Sequence, residues 1–158
     1  MNHQKNKIGL IATLFALGLV ISSFALSFVY TGSLPDKVPI HFGIDGTPDR
    51  WAAKSMIYLL PSVSVFTFLL LVAVGKFPRL AKKPWYTEEQ NRKRFELSKS
   101  FMPWLNLLMC LMFFYIQWAT IQTALGAATG LNPIIMVSFI GGILAYSMWF
   151  TIKVLRTK

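Results

Sequence analysis

Apolar residues are concentrated in four long runs that contain no charged side chain. The runs cover residues 8–30, 56–75, about 101–125 and 133–152. A helix rises about 1.5 Å per residue, so some 20 apolar residues cross a hydrocarbon core of about 30 Å. The pattern predicts an all-α integral membrane protein with four transmembrane helices, forming a single membrane domain over residues 1–158, with an outer motif loop at 31–55 and a basic inner loop at 76–100.

Composition and charge predict how these helices are oriented. The chain is 54% hydrophobic and 14% charged, with a mean hydropathy of +0.52. Of its 16 Lys and Arg residues, 13 lie before the first run, between the second and third, or after the fourth; only Lys37, Arg50 and Lys54 lie elsewhere. Because basic residues are retained in the cytoplasm, both termini are predicted there, in a multi-pass protein of the bacterial cell (inner) membrane.

The first apolar run and the net charge each have an alternative interpretation. The first run resembles a cleaved signal peptide with a site at Ala25-Leu26-Ser27, but its apolar stretch exceeds the 7–15 residues that are usual there. A net charge of +10 suggests nucleic acid in a soluble protein. Here orientation in the lipid bilayer and contact with anionic lipid explain the charge, so no nucleic-acid partner is predicted.

The sequence offers little for catalysis or ion transport. No Asp, Glu, Lys, Arg or His lies within the apolar runs, whereas pumps and ion carriers use such groups inside the membrane. Phosphate-binding loops and hydrolase motifs are absent, and Cys110 is the single cysteine. We therefore predict a protein that is not an enzyme and has no cofactor. Polar residues that share a face of the third helix are expected to bond neighbouring helices: Asn106, Cys110, Gln117 and Thr120, together with Phe113.

The outer loop holds the most distinctive residues of the chain. Val38, Ile40 and Phe42 alternate with polar or small residues and predict a short extended segment with His41 on its opposite face. Thr47 followed by Pro48 is typical of a helix start, so the second helix is expected to begin there and to bend at Pro61.

The residues of this loop are compatible with two kinds of binding site. His41 with Asp36, Asp45 and Asp49 would suit a divalent cation, although each residue also has a local structural explanation, such as an Asx turn at Asp45. Arg50 and Trp51 are of the types enriched at binding hot spots. The preferred prediction is a recognition surface for an extracellular peptide or lipid ligand, formed by Pro35, Asp36, Pro39, His41, Phe42, Gly46, Pro48, Asp49, Arg50, Trp51 and Lys54.

The inner loop predicts a helix start. Thr87-Glu88-Glu89-Gln90 is a capping-box pattern, and Glu88 and Glu89 precede Arg92 and Lys93 by four residues. A helix from here is expected to run on into the third span. The basic loop is a predicted contact for lipid or a cytosolic regulator, and the oligomeric state is left open.

The outer loop also resembles a known family. Leu34-Pro35-Asp36, Val38-Pro39, His41-Phe42, Gly46, Pro48-Asp49, Trp51 and Lys54 are similar to the signature of the bacterial domain of unknown function 1648. That domain also forms the N-terminal membrane part of SdpI-like toxin-immunity proteins. The resemblance covers the first two helices and their loop, close to half of the chain.

The resemblance implies a sensing or protective role, because SdpI-like proteins confer immunity to a secreted peptide toxin and report it by holding a repressor at the membrane. This chain departs from them in its second half, where Asn132-Pro133 is followed by Ile134-Ile135 and not by a Gly-x-Arg sequence. The alternative function is a membrane enzyme or transporter accessory subunit whose outer loop binds a metal or a lipid headgroup.

Overall fold

The computed structural model describes residues 2–77 and 82–156, with side chains from Lys7 onward. The elements in chain order are α1 (Asn2–Tyr30), β1 (Lys37–Phe42), β2 (Pro48–Ala53), a 3-10 helix (Lys54–Tyr58), α2 (Leu59–Lys76), α3 (Glu88–Ala124) and α4 (Pro133–Leu155). Three basic residues of the sequence prediction, Lys5, Arg79 and Lys158, have side chains outside this described part.

The prediction of four long apolar helices is confirmed. Four helical segments are long and apolar enough to cross a membrane: Lys7–Tyr30, Lys54–Lys76, Glu88–Ala124 and Pro133–Leu155. Their most apolar windows have mean hydropathies of 2.3, 2.4, 1.5 and 1.8. These lengths and compositions make the chain a multi-pass membrane protein.

The predicted helix start at Thr47 and Pro48 is wrong, because the chain from Pro48 onward forms strand β2, which pairs antiparallel with β1. The turn between the strands, with Gly46 at a φ of 83°, brings the chain back beside β1, so ladder bonds replace helical ones. Helix α2 begins only at Leu59, after the 3-10 helix. Pro61 therefore lies in the first turn of α2, where a missing amide proton breaks no helical hydrogen bond.

The extended segment at Val38–Phe42 is confirmed, but its predicted alternation is interrupted. Val38 is fully buried, whereas Ile40 is 44% exposed. Pro39 pairs with Trp51 and His41 with Arg50, so Ile40 is an extra residue in β1. Such a bulge is understandable after a proline, which donates no ladder hydrogen bond. Ile40 thus leaves the buried face that the sequence pattern assigned to it.

Helices α1, α2 and α3 pack together around polar side chains of α3. Asn106 Nδ2 donates to the carbonyl oxygen of Phe68 in α2 (3.2 Å). Gln117 Nε2 donates to Ser27 Oγ of α1 (2.7 Å) and to the carbonyl oxygen of Ile57 (3.0 Å). The prediction that amides of α3 bond neighbouring helices is therefore confirmed.

The start of α3 also follows the sequence prediction. Thr87 Oγ1 accepts from the Gln90 amide while the Gln90 side chain accepts from the Thr87 amide, which completes the capping box. Glu89 pairs with Lys93 at 3.0 Å as expected. Glu88, however, pairs with Lys82 and not with Arg92, because the chain before the helix returns alongside its first turn.

Helix α4 is attached mainly to α3 and buries none of its own side chains. Its contacts with α3 include stacked rings, with Phe101 lying 3.9 Å from Phe150 between ring centroids. At one end of the bundle, the hairpin meets the loop between α3 and α4. At the other end, Gly9 and Gly75 lie against Pro103 and Met102 of α3.

Candidate functional site

The base of the hairpin is fixed to the helices by a small apolar core. Leu34, Val38, Ile57 and Ile121 are each at most 5% exposed and pack together. Gln117 is joined to this core by its two hydrogen bonds, one of which reaches the carbonyl oxygen of Ile57. The hairpin therefore begins and ends on side chains that belong to the bundle, and its base is expected to be rigid.

The tip of the hairpin is fixed separately, by backbone contact with the loop between α3 and α4. The Leu131 amide donates to the carbonyl oxygen of Gly46 (2.9 Å). Gly46 is buried, and a Cβ atom on it would lie 2.0 Å from the carbonyl oxygen of Leu131. A Cβ on Gly130 would likewise lie 2.1 Å from the carbonyl oxygen of Gly46. Two glycines thus permit a backbone approach that no other residue allows.

The loop that receives the tip is itself ordered by side chains. Asn132 Oδ1 accepts from the Ile134 amide (2.9 Å) and caps α4. The Asn132 amide donates to Tyr115 Oη of α3 (2.8 Å). The hairpin tip therefore rests on a segment that is held from two helices.

The turn between the strands is closed by Asp45. Its Oδ1 accepts from the Thr47 amide (3.0 Å) and from Thr47 Oγ1 (2.8 Å), which confirms the Asx turn. The Thr47 amide and hydroxyl lower the pKa of the Asp45 carboxyl below its ordinary value. Gly43 completes the turn by donating its amide to the Thr47 carbonyl (2.8 Å). Asp45 is therefore engaged in shaping the turn.

The exposed face of the hairpin carries His41, Asp49, Arg50 and Trp51. His41 Nδ1 and Asp49 Oδ1 lie 2.6 Å apart, with both side chains about half exposed. Arg50, opposite His41 in the ladder, has no ion-pair partner in residues 2–77 and 82–156. Trp51 is 46% exposed. A guanidinium and an indole are thus presented to solvent beside a paired imidazole and carboxylate.

One exposed residue at the tip was not predicted. Ile44 is fully exposed at the turn, although an apolar side chain in a Gly-Ile-Asp-Gly sequence is unusual for a solvated turn. That mismatch between residue type and position is the signal by which the sequence could have indicated it. Gly130 and Leu131 were also missed, because no local pattern marks a loop as the partner of a distant turn.

The predicted site residues divide into a scaffold and a surface. Pro39 and Gly46 are buried, and Phe42 and Pro48 are half-buried, so these four shape the hairpin. Lys54 and Asp36 join the two ends, with the Lys54 amide donating to the Asp36 carbonyl (2.9 Å). Their side chains are 3.9 Å apart and Asp36 is fully exposed, so this ion pair contributes little. Of the predicted set, Pro35, Asp36, His41, Asp49, Arg50 and Trp51 form the exposed surface.

The structure does not gather the weak metal candidates into one site. His41 and Asp49 contact each other, whereas Asp45 is bonded to Thr47 within the turn. Within the described ranges, no group of three or more His, Cys, Asp or Glu side chains is placed to share a metal ion. The arrangement suits contact with a ligand surface better than coordination of a cation.

Comparisons with known proteins bear on this same segment. Residues 18–65, from the middle of α1 through the hairpin into α2, match the family model described as a domain of unknown function (DUF1648). The predicted resemblance to that family is thereby confirmed for these residues. An uncharacterized protein of Archaeoglobus fulgidus is 24% identical over 143 residues, which cover 78% of this chain and 78% of that protein. No solved structure matches the chain.

Proposed function

We propose that this chain, with its DUF1648 segment, is a bacterial cell-membrane protein that is not an enzyme and recognises an extracellular peptide through its hairpin. In this proposal both termini are cytoplasmic and the hairpin faces outward. The role is sensing or protective, similar to that of the SdpI-like proteins that share the domain. The observation that carries the proposal is a hairpin fixed at both base and tip that exposes Arg50, Trp51 and Ile44.

Rigid presentation matters because association loses less conformational entropy when the binding side chains are already positioned. The Gly46 contact and the Gln117 hydrogen bonds fix the backbone without using the exposed side chains. Arg and Trp are the residues that most often dominate binding energy. Ile44 at the turn and Trp51 on β2 each expose apolar surface on the hairpin.

The charge distribution supports the outward placement of the hairpin. Thirteen of the 16 basic residues precede the first apolar run, lie between the second and third, or follow the fourth. On the hairpin, three acidic residues balance Lys37, Arg50 and Lys54. The positive-inside rule therefore favours a cytoplasmic location for the basic end.

Growth of the source strain provides the test. Cells lacking the chain are exposed to the small-peptide fraction of their own spent medium and complemented with variants. Wild type is expected to restore growth, whereas the combined variant Asp49→Ala, Arg50→Ala and Trp51→Ala is not. A hot-spot residue contributes about 2 kcal/mol or more, roughly thirtyfold in affinity, so loss of three should abolish protection.

Lys37→Ala is the matched control, because Lys37 is exposed on the same hairpin but lies outside the proposed surface. It is expected to complement fully, and membrane abundance of all variants is measured by immunoblot. Full complementation by the triple variant at wild-type abundance would refute the recognition surface. Equal growth of deleted and wild-type cells would refute the protective role.

A further inference from the structure

A large groove lies at the end of the bundle opposite the hairpin. It has a volume of about 1010 Å³ and runs between the start of α1, the first half of α3 and the end of α4. The groove exists because α4 touches α3 through aromatic rings at this level and leaves the neighbouring face of α3 uncovered.

Part of the groove lining is basic. Its charged lining residues are four cations and one carboxylate: Arg92, Lys93, Lys99, Lys153 and Glu96. Lys93 and Lys99 are each paired with a glutamate at about 3 Å. Arg92 was expected to pair with Glu88, but that carboxylate is bonded to Lys82. Arg92 is exposed in the groove and has no carboxylate within ion-pair distance in the described residues.

Another part of the lining is aromatic, and it lies on the same two helices, α3 and α4. Phe101 stacks on Tyr146 and Phe150, with centroid distances of 4.6 and 3.9 Å, and Tyr146 stacks on Trp149 at 5.8 Å. Trp104 also lines the groove. Trp and Tyr rings are typical of the level at which lipid headgroups meet acyl chains. The groove thus passes from cationic to aromatic lining along the same helices.

We propose that this groove binds the headgroup and upper acyl chains of an anionic phospholipid. Arg92, which has no ion-pair partner among the described residues, favours a negatively charged headgroup and offers planar donors suited to a phosphate. The aromatic part of the lining continues into the apolar surface of α3 and α4, where acyl chains would lie. A basic pocket between membrane helices at the interface is the arrangement expected for such lipids.

A soluble anion would use only half of these features. Inorganic phosphate could contact the cations, but it would leave the exposed rings of Trp104 and Trp149 uncovered. The proposed ligand therefore has both a negative headgroup and an acyl chain. This requirement distinguishes the groove from a site for small anions and from general electrostatic attraction to a charged membrane.

The test uses the purified full-length chain in a neutral detergent. Phosphatidylglycerol, phosphatidylcholine with the same acyl chains, and inorganic phosphate are titrated separately while the melting temperature is recorded. Phosphatidylglycerol is expected to raise the melting temperature through preferential binding to the folded protein, and the other two to leave it nearly unchanged. In the variant Arg92→Gln with Lys153→Gln, half-saturation should require about thirtyfold more phosphatidylglycerol, since each basic residue near an anionic surface contributes about fivefold.

The matched control is Lys83→Gln with Lys37→Gln, which removes the same charge from exposed positions outside the groove. It should respond to phosphatidylglycerol like wild type. An equal response to phosphatidylcholine or to inorganic phosphate would overturn the proposal. So would an unchanged response in the groove variant, or an equal loss of response in the control.

Discussion

The contact between Gly46 and the loop of Gly130 and Leu131 allows a sharp test of how the hairpin is held. In Gly46→Ala, the new Cβ would lie 2.0 Å from the Leu131 carbonyl oxygen, whereas real Cβ contacts below 3.0 Å are essentially never seen. The obstructing atom belongs to the backbone, so no side chain can rotate away. The tip and the loop must therefore separate by about 1 Å or more.

The magnitude has two parts. At a φ of 83°, alanine is strained by about 1–2 kcal/mol relative to glycine. A separation of about 1 Å stretches the 2.9 Å hydrogen bond from the Leu131 amide to Gly46 beyond its useful range, at a cost of about 1–2 kcal/mol. Only the second part favours an undocked tip, because the strain at Gly46 persists in the turn after undocking, so the undocked fraction rises about five- to thirtyfold.

Hydrogen exchange measured by mass spectrometry on the purified protein reports this opening. Peptides that contain the amides of Gly43 and Leu131 should exchange much faster in Gly46→Ala, while peptides from the middle of α3 should not change. Gly126→Ala is the matched control, because Gly126 also has a positive φ, 75°, but a Cβ there meets nothing within 4 Å. It carries the strain without the collision and should leave Leu131 protected.

Two results would refute this reasoning. If Gly46→Ala kept the wild-type protection of Leu131, the tip would not be docked as described. If Gly126→Ala exposed the Leu131 amide to the same degree, backbone strain in the loop alone would explain the effect, and the close approach of the two glycines would be irrelevant.

Two further predictions concern orientation and packing. In a Cys110→Ser background, Ile44→Cys should react with an impermeant maleimide in intact cells, and Trp85→Cys should not. The reason is that 13 of 16 basic residues favour a cytoplasmic location for the end near Trp85. Reversed labelling would contradict this orientation. Gln117→Leu should lower the free energy of unfolding by about 1–2 kcal/mol, since Ser27 Oγ and the Ile57 carbonyl lose their donor. Gln122→Leu, whose side chain makes no hydrogen bond in the described part of α3, should have little effect, and equal melting of both variants would argue against the bridge.

The sequence predicted those features that depend on neighbouring residues. Charge-free runs marked the four helices, and the capping box marked the residue before α3. Spacing along one helix face was enough to identify Asn106 and Gln117 as bonding groups. Each of these follows from local periodicity, which a single sequence contains.

The features that were mistaken or missed depend on distant partners. Thr47-Pro48 fits a helix start when read locally, but β1 lies close enough to capture the segment as a strand. Ile40 fits a simple alternation until Pro39 fails to donate a ladder bond. The docking of Gly46 onto Leu131 joins residues that are far apart in the chain, and no short-range pattern encodes that distance.

Helix α3 is one uninterrupted element of 37 residues, about 55 Å long at 1.5 Å per residue. Ile121 and Gln117, near one of its ends, hold the hairpin, while Arg92 and Lys99, near the other, line the basic groove. A single helix therefore connects the hairpin with the basic groove. A rigid tilt of α3 by about 5° about its hairpin end would displace its other end by about 5 Å.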